Sequence, residues 1–146
     1  ERAVKLKTIG YLGSARNKFS FQTCTNMGIV VFDDPKSNPR VSSFIPKRLI
    51  DFMNKGTTYM SGNFPNLQLP AIDKSHRLIH IHKNVPGIMA QINIIFAKHN
   101  INIVGQFLMT NETLGYAITD INAEYDKQLF KSLKKIENTI KFRVLY

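Results

Sequence analysis

The sequence predicts an α+β fold in which a four-stranded antiparallel sheet carries two helices on one face. Two observations in the carboxy-terminal half predict it. Residues 76–82 alternate in a β-like way, and residues 88–96 then repeat apolar side chains at helical spacing. Residues 101–144 show the patterns of a hairpin, a second amphipathic helix and a last strand, so the predicted order is βαββαβ.

The first strand and helix follow from local signals. The strand pattern places Leu78 on one face and Ile79 and Ile81 on the other. Asn84 is a good helix N-cap and Pro86 suits an early helical position, so the next helix is expected to begin there and to end at Asn100. Its predicted buried stripe consists of Ile88, Met89, Ile92, Ile95 and Phe96.

The second half of the unit closes the sheet. A turn at residues 111–113 separates two strands, of which the first has Ile101, Ile103, Phe107 and Met109 on one parity and the second contains Tyr116, Ile118 and Asp120. The predicted helix then contains Tyr125, Leu129, Phe130, Leu133 and Ile136, and the last strand Ile140, Phe142 and Val144. The usual solution for this order is a ferredoxin-like arrangement. Its other sheet face needs cover, from the amino-terminal extension or from a second copy, so a homodimer is expected.

Composition limits the class of protein. With 146 residues and 43% hydrophobic content, the chain suits one domain or one domain plus an extension. Cys24 is the single cysteine, which excludes an internal disulfide and indicates a reducing, cytoplasmic setting. No stretch resembles a signal peptide or a membrane span, so we expect a soluble protein without a membrane partner.

The formal net charge of +10 raises the question of nucleic acid. Basic residues are scattered along the chain, and the one dense group, which lies on the expected solvated side of a helix, is Lys127, Lys131, Lys134 and Lys135. The central strands offer Tyr116 and otherwise aliphatic and histidine side chains, so a base-stacking platform is missing. Nucleic-acid binding is therefore the least favoured function.

Two composition changes divide the chain. Residues 33–40 are rich in turn formers and predict a loop. Residues 63–73 contain two prolines in extended-prone surroundings and predict a linker. We therefore expect a boundary near Ser75, with residues 1–74 forming a short, partly structured α/β region and linker, and residues 75–146 the βαββαβ domain.

Several segments resemble a known family. Residues 79–88 (IHIHKNVPGI), 101–103 (INI), 115–116 (GY) and 143–146 (RVLY) are similar to the carboxy-terminal ACT domain of the bacterial, serine-inhibited D-3-phosphoglycerate dehydrogenase family. The resemblance implies a regulatory module that binds L-serine at a dimer interface through the matching residues His82, Asn84 and Asn102. It also allows pairing with another ACT-bearing chain.

Physical chemistry supports an effector site there. The N-terminal end of a helix attracts a carboxylate, and Gly87 would let a ligand approach the backbone closely. Structural alternatives stay open, because Asn84 could be only an N-cap and Asn102 only a turn residue. His80 and His82 share a strand face, but a metal site is disfavoured because no third ligand is in register.

The amino end resembles part of the same family's NAD-binding domain. Residues 7–11 match its first strand, and residues 27–33 its second, which ends in Asp33 at the distance expected for a ribose contact. In an alternative alignment, residues 32–38 match a later loop of the family instead. Gly10 and Gly13 are the remaining candidates for the phosphate-binding turn, since Leu12 and Ala15 occupy the other glycine positions. Residues 16–25 show no amphipathic stripe and do not predict the expected helix.

The catalytic residues that the resemblance implies have no counterpart. The family uses an arginine, a glutamate and a histidine, whereas all four histidines here lie between His76 and His99. We therefore predict a truncated remnant with no catalytic residues, whose parent family uses NAD but which needs no cofactor itself. The alternative is that the chain still takes part in NAD-dependent oxidation of 3-phosphoglycerate, and whether it is an enzyme stays open.

Overall fold

The computed structural model describes residues 5–12, 20–34, 43–72 and 74–145. The chain falls into two compact units, Glu1–Pro70 and Ala71–Tyr146. Within the described ranges, no helix is long and apolar enough to cross a membrane.

The first unit contains two parallel strands and two helices. They are β1 (Thr8–Leu12), α1 (Phe21–Asn26), β2 (Val30–Asp34) and α2 (Phe44–Lys55), with Thr8 paired to Val30. Both predicted strands are confirmed. The expectation of no helix in residues 16–25 is wrong for its second half, because Ser20 Oγ accepts a hydrogen bond from the Thr23 N–H and so caps α1.

The two helices of the first unit contact β1 and β2. Cys24 of α1 packs with Ile29 and Val31 of the β2 region in a small buried cluster. Val31 alternates along β2 with Phe32, whose ring makes an edge contact with Phe52 of α2 at 6.2 Å. The strand pair therefore lies between α1 and α2. The predicted loop at residues 33–40 begins later than expected, since β2 continues to Asp34 and residues 35–40 lie outside the described ranges.

The segment after α2 is hydrogen-bonded into the first unit instead of forming a free linker. The Thr58 hydroxyl donates to the Pro65 carbonyl at 2.7 Å, and the Leu69 N–H donates to Thr57 Oγ1 at 2.8 Å. The Asn63 amide accepts from the Val31 N–H at 2.8 Å and donates to the Ile29 carbonyl at 2.9 Å. Proline composition could not reveal these contacts, because it reports local conformation only.

Asn63→Ala should lower the local stability of β2 by about 2–3 kcal/mol, because the Val31 N–H and the Ile29 carbonyl lose their partner in a poorly hydrated place. Native-state hydrogen exchange of the β2 amides measures this directly. The matched control is Asn66→Ala, whose side chain is exposed and accepts one bond from the Met60 N–H. Equal effects of the two substitutions would contradict the role assigned to Asn63.

The second unit has the predicted βαββαβ order. Its elements are β3 (His76–Lys83), α3 (Ile88–Lys98), β4 (Ile103–Thr110), β5 (Leu114–Ile121), α4 (Lys127–Lys134) and β6 (Thr139–Leu145). The strands form an antiparallel sheet in the order β4-β5-β3-β6. The two central strands β3 and β5 are therefore flanked by the edge strands β4 and β6.

Both helices pack on one face of this sheet. The buried cluster there joins Leu78, Ala117 and Ile121 of the sheet to apolar residues of α3 and the α4 region, namely Ile88, Ile92, Phe96, Leu129, Leu133 and Ile136. Met89 and Ile95 pack against the cluster and are partly buried. The predicted stripe of α3 is confirmed, and removal of such side chains from water is the main source of the unit's stability.

Three local predictions for α3 and β4 are wrong in detail. Asn84 is not the N-cap of α3, which is Gly87, and the helix ends at Lys98 instead of Asn100. The pairing between β4 and β5 shifts between Ile103 and Gly105, so Ile103 points to the helix face while Phe107 points to the opposite face. The single parity predicted for β4 fails because the extra residue at this bulge reverses the alternation.

The basic helix α4 starts later than its apolar pattern suggested. Asp126 Oδ1 accepts a hydrogen bond from the Leu129 N–H and caps the helix, so Tyr125 lies before it. The predicted solvated side is confirmed, because its four lysines are exposed, namely Lys127, Lys131, Lys134 and Lys135.

Candidate functional site

A pocket of about 560 Å³ lies at the N-terminal end of α3 within the second unit. Its lining comes from the end of β3 with His82, the loop of residues 84–87, the first turn of α3, and Leu108 and Thr110 of β4. Three of the four predicted effector residues, His82, Asn84 and Gly87, therefore lie together.

The backbone at this helix end is available to a ligand. No side chain caps α3, and the first helical bond runs from the Gln91 N–H to the Gly87 carbonyl. The N–H groups of residues 88–90 therefore have no partner within the helix, and the positive end of the helix dipole lies beside them. Gly87 has φ of 86°, and an added Cβ would meet nothing within 4 Å. Glycine is thus favoured there by its left-handed conformation and not by close packing.

His82 is a buried, neutral imidazole at the edge of the pocket. It is 2% exposed, and its Nδ1 lies 2.8 Å from the Lys83 carbonyl. Because a carbonyl oxygen only accepts, Nδ1 carries the proton and Nε2 is a bare acceptor. Nε2 is buried without a partner within the described chain. Burial lowers the pKa of His82, and the hydrogen bond to Lys83 partly opposes this shift.

His80 lies next to His82 on the same face of β3, with 5.7 Å between the ring centroids. The Thr139 hydroxyl donates to the Ile136 carbonyl at 2.6 Å, so it accepts from the His80 Nε2–H, 2.7 Å away. Burial, and secondarily the neighbouring His82, lower the pKa of His80 to about 4. The two histidines are therefore neutral at physiological pH.

Asn84 is exposed and fixes the loop above the pocket. Its Nδ2 donates to the Asn111 carbonyl at 2.7 Å, and its backbone N–H donates to the Thr113 carbonyl at 3.1 Å. These bonds join the β3-α3 loop to the β4-β5 turn. Asn84 lines the pocket, and its side-chain Oδ1 can accept a further hydrogen bond.

Asn102 is separated from the other three predicted residues. It lines a different pocket, of about 320 Å³, with Asn100 and Ile101. It precedes β4, whereas the first pocket touches Leu108 and Thr110 near the other end of that strand. Eight extended residues span roughly 25 Å, so Asn102 and His82 of one chain cannot contact the same small ligand.

The cofactor candidates of the first unit have different surroundings. A Cβ on Gly10 would approach Leu49 Cδ1 to 2.9 Å, so the absence of a side chain there is explained by packing against α2. Asp33 lies in β2, one residue from its end. Gly13 lies outside the described residues.

Sequence reasoning missed two residues that surround the histidines. Thr139 is far along the chain from His80, and Gly115 pairs with His82 across the sheet. The sequence carries no local signal for either residue. Only the register of the strand pairing shows that Gly115 lies opposite His82. In the described part of the chain, no three His, Cys, Asp or Glu side chains form a group that could hold a metal ion.

Comparison with known proteins agrees with this architecture. Residues 78–141 match the family described as AHAS small subunit-like ACT domain. D-3-phosphoglycerate dehydrogenase of Haemophilus influenzae is 39% identical over 99 residues, which are 68% of this chain and 24% of that protein. The corresponding protein of Dictyostelium discoideum is 38% identical over 98 residues, covering 67% of this chain and 24% of its own length.

Two further matches are another D-3-phosphoglycerate dehydrogenase and a solved ACT domain structure. The Escherichia coli (strain K12) D-3-phosphoglycerate dehydrogenase is 39% identical over 101 residues, covering 68% of this chain and 24% of that protein. The crystal structure of the ACT domain from GTP pyrophosphokinase of Chlorobium tepidum has a TM-score of 0.44 at 16% identity, covering 49% of this chain and 96% of that one. The chain spans about a quarter of the length of the curated relatives it matches. Residues 78–141 therefore form an ACT domain with a ferredoxin-like fold, in a chain related over 68% of its length to the D-3-phosphoglycerate dehydrogenases.

Proposed function

We propose that the second unit is a regulatory module that binds L-serine or a similar small amino acid at the N-terminal end of α3. The observation that carries the proposal is the side chain of His82, whose buried Nε2 has no partner within the described chain and which lines one pocket together with the uncapped start of α3. Buried polar atoms are nearly always satisfied by protein, water or ligand, and a donor group of an amino acid in this pocket would satisfy the Nε2 acceptor. His80 Nδ1, on the same strand face, is also buried without a partner in the described chain.

The pocket can satisfy each polar group of an amino acid. A carboxylate suits the N–H groups of residues 88–90 and the positive end of the α3 dipole. An ammonium or hydroxyl group can donate to His82 Nε2 and to Asn84 Oδ1. Met89 and Leu108 supply apolar surface beside these groups. The site thus offers recognition but no general base or nucleophile arrangement.

The position of Asn102 supports a site shared by two copies of the chain. β4 is an edge strand, and its outer side and the neighbouring helix expose Val104 (58%), Leu108 (42%) and Ile94 (53%). Antiparallel pairing of β4 with the same strand of a second copy would cover this apolar surface. It would also bring the partner's Asn102 towards the pocket that holds His82 and Asn84.

Calorimetric titration of the full chain with L-serine tests the proposal, with glycine and L-threonine as comparisons. We expect saturable binding of L-serine at protein concentrations where the dimer forms. The absence of binding to a folded, dimeric sample would contradict the proposal.

His82→Ala should weaken L-serine binding by about 10- to 100-fold, because a hydrogen bond to a charged group contributes about 1.5–3 kcal/mol. Asn84→Ala should act in the same direction without unfolding the domain. His99→Ala, at the opposite end of α3, is the matched control. An unchanged affinity in either site variant would remove that residue from the site, and circular dichroism verifies that each variant is folded.

Mixing two defective chains tests the shared site. His82→Ala and Asn102→Ala homodimers should each bind L-serine weakly, whereas heterodimers formed by mixing them contain one site with both residues intact. We expect binding to return to up to one site per heterodimer, with the dimer fraction measured by analytical ultracentrifugation. No recovery in a mixture that contains heterodimers would argue against a site built from both copies.

A second candidate is participation in NAD-dependent oxidation of 3-phosphoglycerate, as the names of the relatives suggest. The parallel β1-β2 pair, with Asp33 near the end of β2, favours it. Measurable NAD reduction with 3-phosphoglycerate, by the chain alone or with another ACT-bearing chain, would support this candidate. The free, buried Cys24 agrees with the cytoplasmic location that both candidates require.

A further inference from the structure

Gly115 occupies a special position in the sheet, directly opposite His82 in the pairing of β3 with β5. A Cβ added to Gly115 would fall 2.9 Å from His82 Nδ1, 2.5 Å from Nε2 and nearer still to Cε1 of the same ring. Real Cβ atoms essentially never come within 3.0 Å of such an atom. The imidazole therefore occupies the volume that a side chain at position 115 would need.

The ring cannot easily move away from this volume. The Nδ1–H bond to the Lys83 carbonyl holds one edge, and the His80 ring lies 5.7 Å away on the same face of β3. Rotation of the ring to avoid a side chain at position 115 would break the bond to Lys83. It would also move Nε2, the atom that lacks a partner within the described residues.

We propose that Gly115 is a positioning residue of the amino-acid site. Its missing side chain lets the His82 imidazole lie against β5, with the proton on Nδ1 and Nε2 kept as the acceptor for the ligand's ammonium or hydroxyl group. This inference rests on the proposed function, which it deepens by naming what orients His82.

The test compares Gly115→Ala with Gly105→Ala in the full chain. Gly105 lies in the same sheet, and a Cβ there meets its nearest neighbours at an ordinary 3.6 Å. Gly115→Ala should weaken L-serine binding by about 10- to 100-fold, whereas Gly105→Ala should leave the affinity within about twofold. In a His82→Ala background, Gly115→Ala should cost no further affinity, because the two substitutions act on one ring.

Nuclear magnetic resonance without ligand measures the tautomer and the pKa of the His82 imidazole. A purely structural role of Gly115 would leave both unchanged. In the unsubstituted chain and in Gly105→Ala, His82 should be the Nδ1–H tautomer and titrate below the ordinary histidine pKa. In Gly115→Ala the ring should leave its buried position, so its pKa should move back towards about 6.5. An unchanged tautomer, pKa and affinity in Gly115→Ala would overturn the proposal.

Two outcomes need separate controls. If Gly115→Ala does not fold, Gly115→Ala combined with His82→Ala should fold, since removal of the ring removes the clash; continued failure to fold would contradict the proposal. If the unsubstituted chain binds none of the three amino acids, the proposed function fails, while the histidine titrations still decide whether Gly115 sets the orientation of His82.

Discussion

Replacing Asp120 by alanine should lower the stability of the ACT domain by about 3–5 kcal/mol, the usual cost of removing one partner from a buried ion pair. Asp120 Oδ1 accepts from Arg77 Nε at 2.7 Å, and Oδ2 accepts from Arg77 Nη2 at 2.6 Å. The side chains are 1% and 11% exposed, so water cannot replace the carboxylate at little cost. The pair joins β3 to β5, the two central strands of the sheet.

Hydrogen exchange of the β3 and β5 amides measures this loss for the ACT domain itself. The control is the double substitution Arg77→Met with Asp120→Leu, which leaves no buried charge and should recover most of the lost stability. A less buried pair gives the comparison, since Lys55→Ala removes the half-buried contact to Asp51 in α2 and should cost the first unit less than about 1 kcal/mol. A loss below about 1 kcal/mol for Asp120→Ala would show that the pair contributes little.

Acidification between pH 6.5 and pH 4 should remove about 3 kcal/mol of stability through His80 alone. Its pKa is about 4 in the folded chain, whereas a histidine exposed in the unfolded chain has the ordinary value of 6.5. In this interval the unfolded chain binds more protons than the folded chain, so stability rises with pH. The contribution is fully present above pH 6.5, falls between the two pKa values and is lost below pH 4. The lowered pKa of His82 acts in the same direction.

The pH dependence can be separated from that of the carboxylates by comparing variants. Urea unfolding followed by circular dichroism gives the free energy of unfolding of the unsubstituted chain and of His80→Gln at pH 7 and pH 4. The stability of the unsubstituted chain minus that of His80→Gln should fall by about 3 kcal/mol between pH 7 and pH 4. His99→Gln is the control at the end of α3. Parallel pH profiles for the unsubstituted chain and His80→Gln would show that His80 titrates normally in the folded state.

Acid should also weaken ligand binding at the proposed site. A proton on His82 Nε2 would convert the acceptor into a donor and place a positive charge beside both the ligand's ammonium group and the positive end of α3. Affinity for L-serine should therefore be constant near neutral pH and fall as the pH drops through the lowered pKa of His82. An affinity that rises on acidification would mean that His82 binds the carboxylate instead.

Elements with strong local signals were predictable from the sequence. The spacing of Ile88, Ile92 and Phe96 predicts a helix, and the alternation around Leu78 predicts a strand. Both patterns arise because one face of each element is buried. Helix starts were less predictable. Asn84 has the chemistry of an N-cap, yet its amide binds the Asn111 carbonyl across the unit, and Gly87 begins α3 in a left-handed conformation.

The sequence by itself determined the βαββαβ order of the second unit and which residue types lie at the start of α3. Only the tertiary structure decided that His82 and Asn84 share a pocket while Asn102 of the same chain lies at the far end of β4. It also decided which nitrogen of His82 carries the proton and that Gly115 leaves room for the ring. The physical reason is that local patterns record which faces are buried, whereas strand register and bulges set the distances between residues that are far apart in the chain.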